Sequence, residues 1–416
     1  MPLRKRDIYR LPWSLNDNPI GWLEVTDRCN IYCRGCYRRN LEGHKSLEEL
    51  KEDILFFKEW RNCYNMSIAG GEPILHPDIV EIVAFTVEQG MQALILTNGH
   101  GLTRELLVAL KDAGALGVAF HIDSQQSRPG WKGKNELELM ELRQHYADLV
   151  ATVPGLYCNF GMTVYNANLP DLPHIVRWGN ENIDKVHGLV FICYRGAPED
   201  VPMEYMVGDQ KVSIDGELGY TGEDSSELEL TSADVYETLR AELSHYDACS
   251  YLGGSQAHDS IKWLIGVQVG RKGKMYGSIG PRTMEAAQVW HHFVRGTYLT
   301  YLRTNRAGKK VFLPSLIDPK IRESTRAWLG DVVRNPLRLF QPVYTQSIGI
   351  VQAPDILPDG RADMCDSCPD MAVYDGKLVH SCRMDEFRLY GTYVTVQMPA
   401  RSEEETEEEL MPVGAP

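Results

Sequence analysis

From about residue 20 to residue 195 the chain repeats one unit: a short apolar run, a polar turn, then a longer amphipathic segment. The runs are Gly21–Thr26, Met66–Ala69, Gln92–Thr97, Gly117–Ile122, Tyr157–Val164 and Leu189–Tyr194. Their length and near-continuous apolarity predict parallel strands buried on both faces. The segments between them predict helices. Ser46-Leu-Glu-Glu49 is a capping-box start, followed by a stripe of Leu50, Ile54, Phe57 and Trp60. Pro77-Asp78-Ile79 and Thr103-Arg-Glu-Leu open two more helices. Strand–helix alternation with short connections demands right-handed parallel crossovers. Six units are too few for an eight-unit barrel, so the expected fold class is α/β, a partial (β/α)6 barrel. Chemistry is expected at the C-terminal ends of its strands.

The pattern changes after residue 195. Residues 196–232 are rich in Gly, Asp and Glu, with a hairpin or insertion expected within Val207–Tyr220, and Thr231-Ser-Ala-Asp234 opens another helix. Between Trp290 and Phe340 ten Lys and Arg stand against three Asp and Glu, interleaved with aromatic residues. A helical subdomain with a solvated basic side accounts for this; a cationic substrate lid and a membrane-facing surface are the functional alternatives. Met371–Tyr374 and Lys377–His380 flank Asp375-Gly376, the signature of a β-hairpin. The tail from Arg401 holds six glutamates and reads as disordered. The expected organisation is an arm at 1–19, the barrel at 20–195, an insertion and helical region at 196–345, a cysteine-bearing region at 346–400 and the acidic tail at 401–416.

Composition narrows the function. With 43% hydrophobic and 24% charged residues in 416, the chain has ordinary globular usage. A formal charge of −14 argues against a general nucleic-acid binder. No apolar run approaches the ~20 residues of a membrane span, and the basic start Met1-Pro-Leu-Arg-Lys-Arg has no apolar stretch behind it. A cytoplasmic location is therefore expected, and cysteines there read better as metal ligands than as disulfides.

Six of the ten cysteines form two triplets. Cys29, Cys33 and Cys36 have Cys-x3-Cys-x2-Cys spacing directly after the first strand. Three thiolates on one loop can hold three irons of a [4Fe–4S] cluster and leave the fourth open, as reactive rather than structural centres require. Zinc with an outside fourth ligand, or three unrelated cysteines, are the alternatives. Gly70-Gly71-Glu72-Pro73 follows the second strand. Two glycines allow close backbone approach to a ligand and are expected to leave amides and carbonyls free for it. Cys63, Cys158, Cys193 and Cys249 are scattered.

This pairing of motifs resembles the radical S-adenosylmethionine (radical SAM) superfamily over Gly21 to about Arg195. The resemblance implies that Cys29, Cys33 and Cys36 ligate a [4Fe–4S] cluster whose open iron is chelated by S-adenosylmethionine (SAM). It implies that Gly70, Gly71, Glu72 and Pro73 hold the methionine amino group, and that SAM is cleaved to methionine and a 5′-deoxyadenosyl radical that abstracts hydrogen from substrate. It also implies an electron donor such as flavodoxin or ferredoxin. Gly35 departs from the larger residue usual before the last cysteine, and Tyr37 is expected to take over its shielding. Asn98 and Ser124, at the ends of strands three and four, are expected SAM contacts, with ordinary turn chemistry the alternative. His121 and Asp123 share a strand face and are a candidate acid/base pair for substrate, with a satisfied histidine at the barrel rim the alternative.

The second triplet, Cys365, Cys368 and Cys382, has Cys-x2-Cys-x13-Cys spacing. It is similar to the second-cluster region of the molybdopterin-precursor GTP cyclases and related enzymes, implying an auxiliary [4Fe–4S] cluster whose fourth iron binds either substrate or a protein ligand, with Cys249 and His380 as candidates. Zinc with His380 is the alternative. The stretch Pro-Asp-Met-Ala-Val-Tyr after Cys368 stands where those cyclases carry arginines, which argues against GTP as substrate. The barrel words Gly-Gly-Glu-Pro-Ile-Leu-His-Pro-Asp-Ile-Val (70–80), Leu-Thr-Asn-Gly (96–99) and Phe-His-Ile-Asp (120–123) are similar to those of radical SAM enzymes acting on isoprenoid or membrane lipids. The expected function is radical SAM chemistry on a small-molecule, lipid-like substrate, with peripheral membrane contact. A peptide maturase, or a non-catalytic iron–sulfur or zinc protein, are the alternatives.

Overall fold

The computed structural model describes residues 3–397 except 199, 201–202, 215–217, 219–221, 224, 258, 304–306 and 358; the acidic tail lies outside the described residues. Six parallel strands run in sequence order: β1 (Ile20–Thr26), β2 (Asn65–Gly70), β3 (Gln92–Thr97), β4 (Gly117–His121), β5 (Tyr157–Val164) and β6 (Gly188–Cys193). Between them lie α1 (Leu47–Trp60), α2 (Ile79–Glu88), α3 (Arg104–Asp112), α4 (Met140–Ala151) and α5 (Leu172–Glu181). The partial barrel expected from the apolar runs is present.

Alternation builds the core. Leu23, Val25, Met66, Ile68, Val118 and Phe120 belong to the buried layer shared with the helices. Ser46 caps α1 with the reciprocal Glu49 bonds of a capping box, and Leu50, Ile54 and Phe57 are fully buried beneath it. Trp60, expected in that stripe, is exposed. Arg61 is buried four residues after Phe57 instead, where its guanidinium is needed (below).

The sheet does not stop at β6. Further strands are β7 (Ala248–Gly253), β8 (Ile261–Arg271), β9 (Lys274–Ser278) and β10 (Tyr344–Gln352). β10 pairs parallel with β6, β8 antiparallel with β10, and β7 and β9 antiparallel with β8; Tyr9–Arg10 adds to β7. Thus the stretch 196–345, read from sequence as an insertion and helical region, supplies three strands as well as α6 (Ser232–Glu242), α7 (Pro281–Arg295) and α8 (Pro319–Arg334). The hairpin expected within Val207–Tyr220 forms slightly earlier, from Glu204–Val207 and Gln210–Val212; part of the expected span lies outside the described residues.

Two segments bridge the sheet's ends, the β7 side, edged by Tyr9–Arg10, and β1. The arm leaves β7 at Leu11, whose amide donates to Tyr251, and enters β1 at Ile20. Residues 363–369 cross the same gap. At one side the Ser255 amide donates to Met364 and the Asp366 amide to Gly253. At the other, Asn18 donates to the Ser367 carbonyl at 3.0 Å and Arg61 donates to the carbonyls of Cys368 and Pro369. β11 (Met371–Tyr374) and β12 (Lys377–His380) follow as the expected hairpin, with positive φ at both Asp375 and Gly376, and lead into α9 (Met384–Tyr390).

Candidate active site at the barrel mouth

Thr26 ends β1 at the strand terminus where parallel barrels place their chemistry. Its hydroxyl donates to Gly43 at 2.7 Å and accepts the Arg28 amide at 3.1 Å, fixing both ends of the cysteine loop. Asn40 brackets Cys29, accepting its amide at 2.9 Å and donating to its carbonyl at 3.2 Å. The loop is also laced to the chain after β4. Arg34 donates to Gln125, Ser127 donates to Tyr32, and Cys33 forms a bridge with Gln126.

Amide side chains point at two of the sulfurs. Gln126 Nε2 is 3.4 Å from Cys33 Sγ and Asn98 Nδ2 is 3.8 Å from Cys29 Sγ. Burial, above all, pushes both thiols up, and Cys33 is raised further by Asp123, Cys36 and Cys29. Among the described residues no group of three His, Cys, Asp or Glu is arranged to hold one metal ion. The donor set, three thiols on one loop with amide donors beside them, fits a [4Fe–4S] cluster in chemistry, since such a cluster takes one thiolate per iron and is tuned by bonds to sulfur.

Gly70 and Gly71 serve a structural purpose besides the expected one. Gly70 has φ +123°, and a Cβ there would lie 2.4 Å from the Thr26 oxygen; at Gly71 it would lie 2.3 Å from the Arg28 oxygen. The amides expected to be free are occupied, Gly71 donating to Thr26 at 2.7 Å and Glu72 to Arg28 at 2.8 Å. The missing side chains let the cysteine loop itself approach. An ammonium group would in any case meet carbonyl oxygens, not these amides.

Glu72 is fully buried. Its carboxylate accepts the Thr97 hydroxyl and the Asn98 amide, both at 2.6 Å, and the Ile74 amide at 3.3 Å. Burial pushes its pKa up to about 7 against those donors and Arg128. Asn98 also donates to Asn30 at 2.7 Å, so it joins Glu72 to the cysteine loop. Pro73 opens a short 3-10 turn beside it.

His121 and Asp123 meet: Nε2 is 3.0 Å from the Asp123 carboxylate and 3.2 Å from the Thr163 hydroxyl. Ser124 is anchored through its amide, which donates to buried Glu136 at 2.7 Å; Glu136 in turn pairs with buried Arg143. Three nearby residues escaped the sequence reading. Arg128, buried, donates to the carbonyls of Asn98 and His121 and to Gln126. Tyr165 and Tyr194 pack 4.7 Å apart with the Arg34 guanidinium 5.4 Å from each ring. Tyr165 explains Gly35: a Cβ there would lie 2.9 Å from the Tyr165 hydroxyl. Tyr37, expected to shield this side, is half-buried. Nothing in the local sequence distinguishes these residues; only the fold assembles them.

In the second triplet the contacts run through Cys368. Cys368 interacts with Cys365 and His380, and Cys382, raised first by burial, feels Cys368. Cys249 lies elsewhere, donating to the Ile265 carbonyl within a separate apolar cluster with Val269 and Tyr276. Cys63, Cys158 and Cys193 are core residues. An ion-pair network connects the two cysteine regions. Arg38 meets Asp27 at 2.7 Å and Asp385 at 3.5 Å, Asp385 accepts the Arg39 amide at 2.8 Å, and Arg388 returns to Asp27 at 2.5 Å.

The family model of the Radical SAM superfamily matches residues 23–169. The chain is 28% identical over 183 residues to the Fe-coproporphyrin III synthase of Methanosarcina barkeri, covering 41% of this chain and 43% of that protein. It is 33% identical over 117 residues to the PqqA peptide cyclase of Methylocella silvestris, covering 27% and 31%. The chain thus spans less than half the length of the curated relatives it matches. Among solved structures, Streptococcus suis SuiB bound to S-adenosylmethionine matches with TM-score 0.36 and 15% identity over 48% of this chain and 44% of that one. No helix among the described residues is long and apolar enough to cross a membrane.

Proposed function

We propose, from the match of residues 23–169 to the family model of the Radical SAM superfamily, that the barrel mouth cleaves SAM reductively and that the chain directs the resulting radical to a hydrophobic, lipid-like substrate. When bound, the cluster and SAM supply a 5′-deoxyadenosyl radical; the protein supplies position, electrostatics and exclusion of water. The observation that carries the reading is the strapping of Gly71 and Glu72 onto the loop of Cys29, Cys33 and Cys36.

In this proposal the three cysteines hold the cluster and Gln126 and Asn98 moderate the charge on its sulfurs. Gly70–Pro73 present carbonyl oxygens to the methionine ammonium, while Asn98 and Ser124 face the rest of the nucleoside. His121 donates Nε2–H to Asp123, which leaves Nδ1 as acceptor on the side of Gly161, where a Cβ would meet nothing closer than 3.6 Å. That nitrogen takes a proton from substrate after hydrogen abstraction. Cys365, Cys368 and Cys382 hold a second [4Fe–4S] cluster with His380 beside it, as electron acceptor or substrate anchor. The lipid-like substrate is supported by the apolar and cationic surface of residues 289–340. A peptide is the second reading, favoured by relatives named PqqA peptide cyclase and subtilosin biosynthesis protein AlbA.

The test is anaerobic reconstitution followed by SAM and a strong reductant. The reading expects 5′-deoxyadenosine, with its yield raised by a lipid extract. Stimulation by peptides alone moves the substrate to the second reading. Absence of 5′-deoxyadenosine refutes radical SAM activity and leaves a non-catalytic metal-binding protein.

A further inference from the structure

We propose that the face built from α7, residues 307–317 and α8 docks onto an anionic lipid bilayer. Three observations lead there.

Large apolar side chains are concentrated on this face. More than half of the exposed ones among the described residues fall between 289 and 340. On α7, Trp290 and Phe293 are 67% and 82% exposed with ring centres 6.3 Å apart. Leu316 is 86% exposed on the following turn, and Val333, at the end of α8, and Phe340, in the 3-10 turn after it, are each 80% exposed. Soluble surfaces seldom gather such residues without a binding role.

The frame beneath them is complete, so they are not surplus core. Met284, Val311, Phe312 and Ile321 already fill the interior, with Phe312 stacked on Trp328 at 4.9 Å. Arg322 donates to the carbonyls of Ser315 and Leu316, and Arg282 to that of Ile317. These bonds hold the turn that presents Leu316. Asp318 accepts both the amide and the hydroxyl of Thr283, which ties α8 to α7.

Charge identifies the occupant. Of the three acidic residues between Trp290 and Phe340, Asp318 and Asp331 are fully buried. Asp331 is consumed by Lys274, Arg271 and Arg338. Glu323 alone of the three is exposed, so the exposed charge of this stretch is predominantly cationic, including Arg295, Lys310, Arg326 and Arg334, on a chain whose net charge is −14. On α8, Arg322, Arg326, Leu329 and Val333 follow one helical stripe, so cations continue directly into apolar residues. Apolar outcrops with a Lys/Arg rim match an interface of acyl chains beneath anionic headgroups.

The inference does not depend on the radical chemistry, and its test separates the two. The full chain is floated with vesicles of phosphatidylcholine alone and with about 30% phosphatidylglycerol added. Flotation is expected with the anionic vesicles, reduced about tenfold on neutral ones and by high salt. The Phe293→Asp/Leu316→Asp variant is expected to lose about tenfold or more in binding with SAM cleavage in the absence of any lipid unchanged; Trp60→Ser, at an exposed aromatic elsewhere, is expected to bind normally. As a second readout, brominated lipid should quench tryptophan emission of the unaltered chain, and less so in Trp290→Phe. No flotation with anionic vesicles, or equal flotation of the double variant, overturns the proposal. So does burial of Trp290 in a vesicle-free dimer seen by light scattering.

Discussion

The carbonyl oxygen of Arg28 stands 2.3 Å from the point a Cβ on Gly71 would occupy, and it accepts the next amide, that of Glu72, at 2.8 Å. One oxygen thus sets the spacing between the cysteine loop and the segment after β2. Gly71→Ala must push the two apart. The expected result is a loss of about 100-fold in SAM cleavage, as misplacement by an ångström typically gives, with the circular dichroism spectrum retained. Gly330→Ala, in α8 with nothing within 4 Å of its added Cβ, should be neutral or stabilising by up to about 1 kcal/mol.

Arg61 joins the barrel to the second cysteine segment. Its fully buried guanidinium donates to Ile20 at 2.9 Å, to Leu15 at 3.2 Å, and to the carbonyls of Cys368 and Pro369. Arg61→Met strands those carbonyls and should destabilise by about 3 kcal/mol or more. Arg61→Lys should rescue little, because one ammonium cannot reach four separated acceptors. Urea midpoints at fixed metal content measure both.

The parts of this molecule that sequence revealed share one property: their causes are local. The apolar runs of β1 to β6 are buried on both faces, so they read as strands without knowledge of their partners. Ser46 with Glu49, and Asp375 with Gly376, carry their turn chemistry within four residues. By contrast, β8 and β10 bury Lys262, Gln268 and Gln346 completely, which breaks the apolar signal, and β10 joins β6 from some 150 residues away. At the site, the cysteines and Gly70–Pro73 could be read from spacing. Arg128 and Tyr165 could not, because each acquires its role only from strand ends brought together. The clearance that Gly70 and Gly71 give the cysteine loop was not legible, because it depends on a neighbour that the local sequence does not name.

His187 provides a pH signature. Burial, with the Arg303 guanidinium nearby, lowers its pKa from 6.5 to about 4. Between those values the unfolded chain binds a proton that the folded one refuses, so stability should fall as pH drops from 6.5 towards 4. The loss from this group is at most about 3 kcal/mol. His187→Gln should flatten the slope of unfolding free energy across that window. An unchanged slope would remove His187 as its source.

The two cysteine triplets should separate by substitution. Cys29→Ala, Cys33→Ala and Cys36→Ala should each abolish SAM cleavage. Cys382→Ala should leave cleavage uncoupled from product and lower iron by about four atoms per chain. Loss of one zinc instead would make the second site a closed structural one. Full product formation by Cys382→Ala would show that site to be dispensable for catalysis.

The most direct test of the central claim follows the reduced, reconstituted chain by electron paramagnetic resonance while SAM is added. The account predicts a shifted cluster signal and hyperfine coupling to a labelled SAM amino nitrogen, both absent from Cys33→Ala. A spectrum that SAM leaves unchanged, together with intact SAM after prolonged reduction, would contradict it.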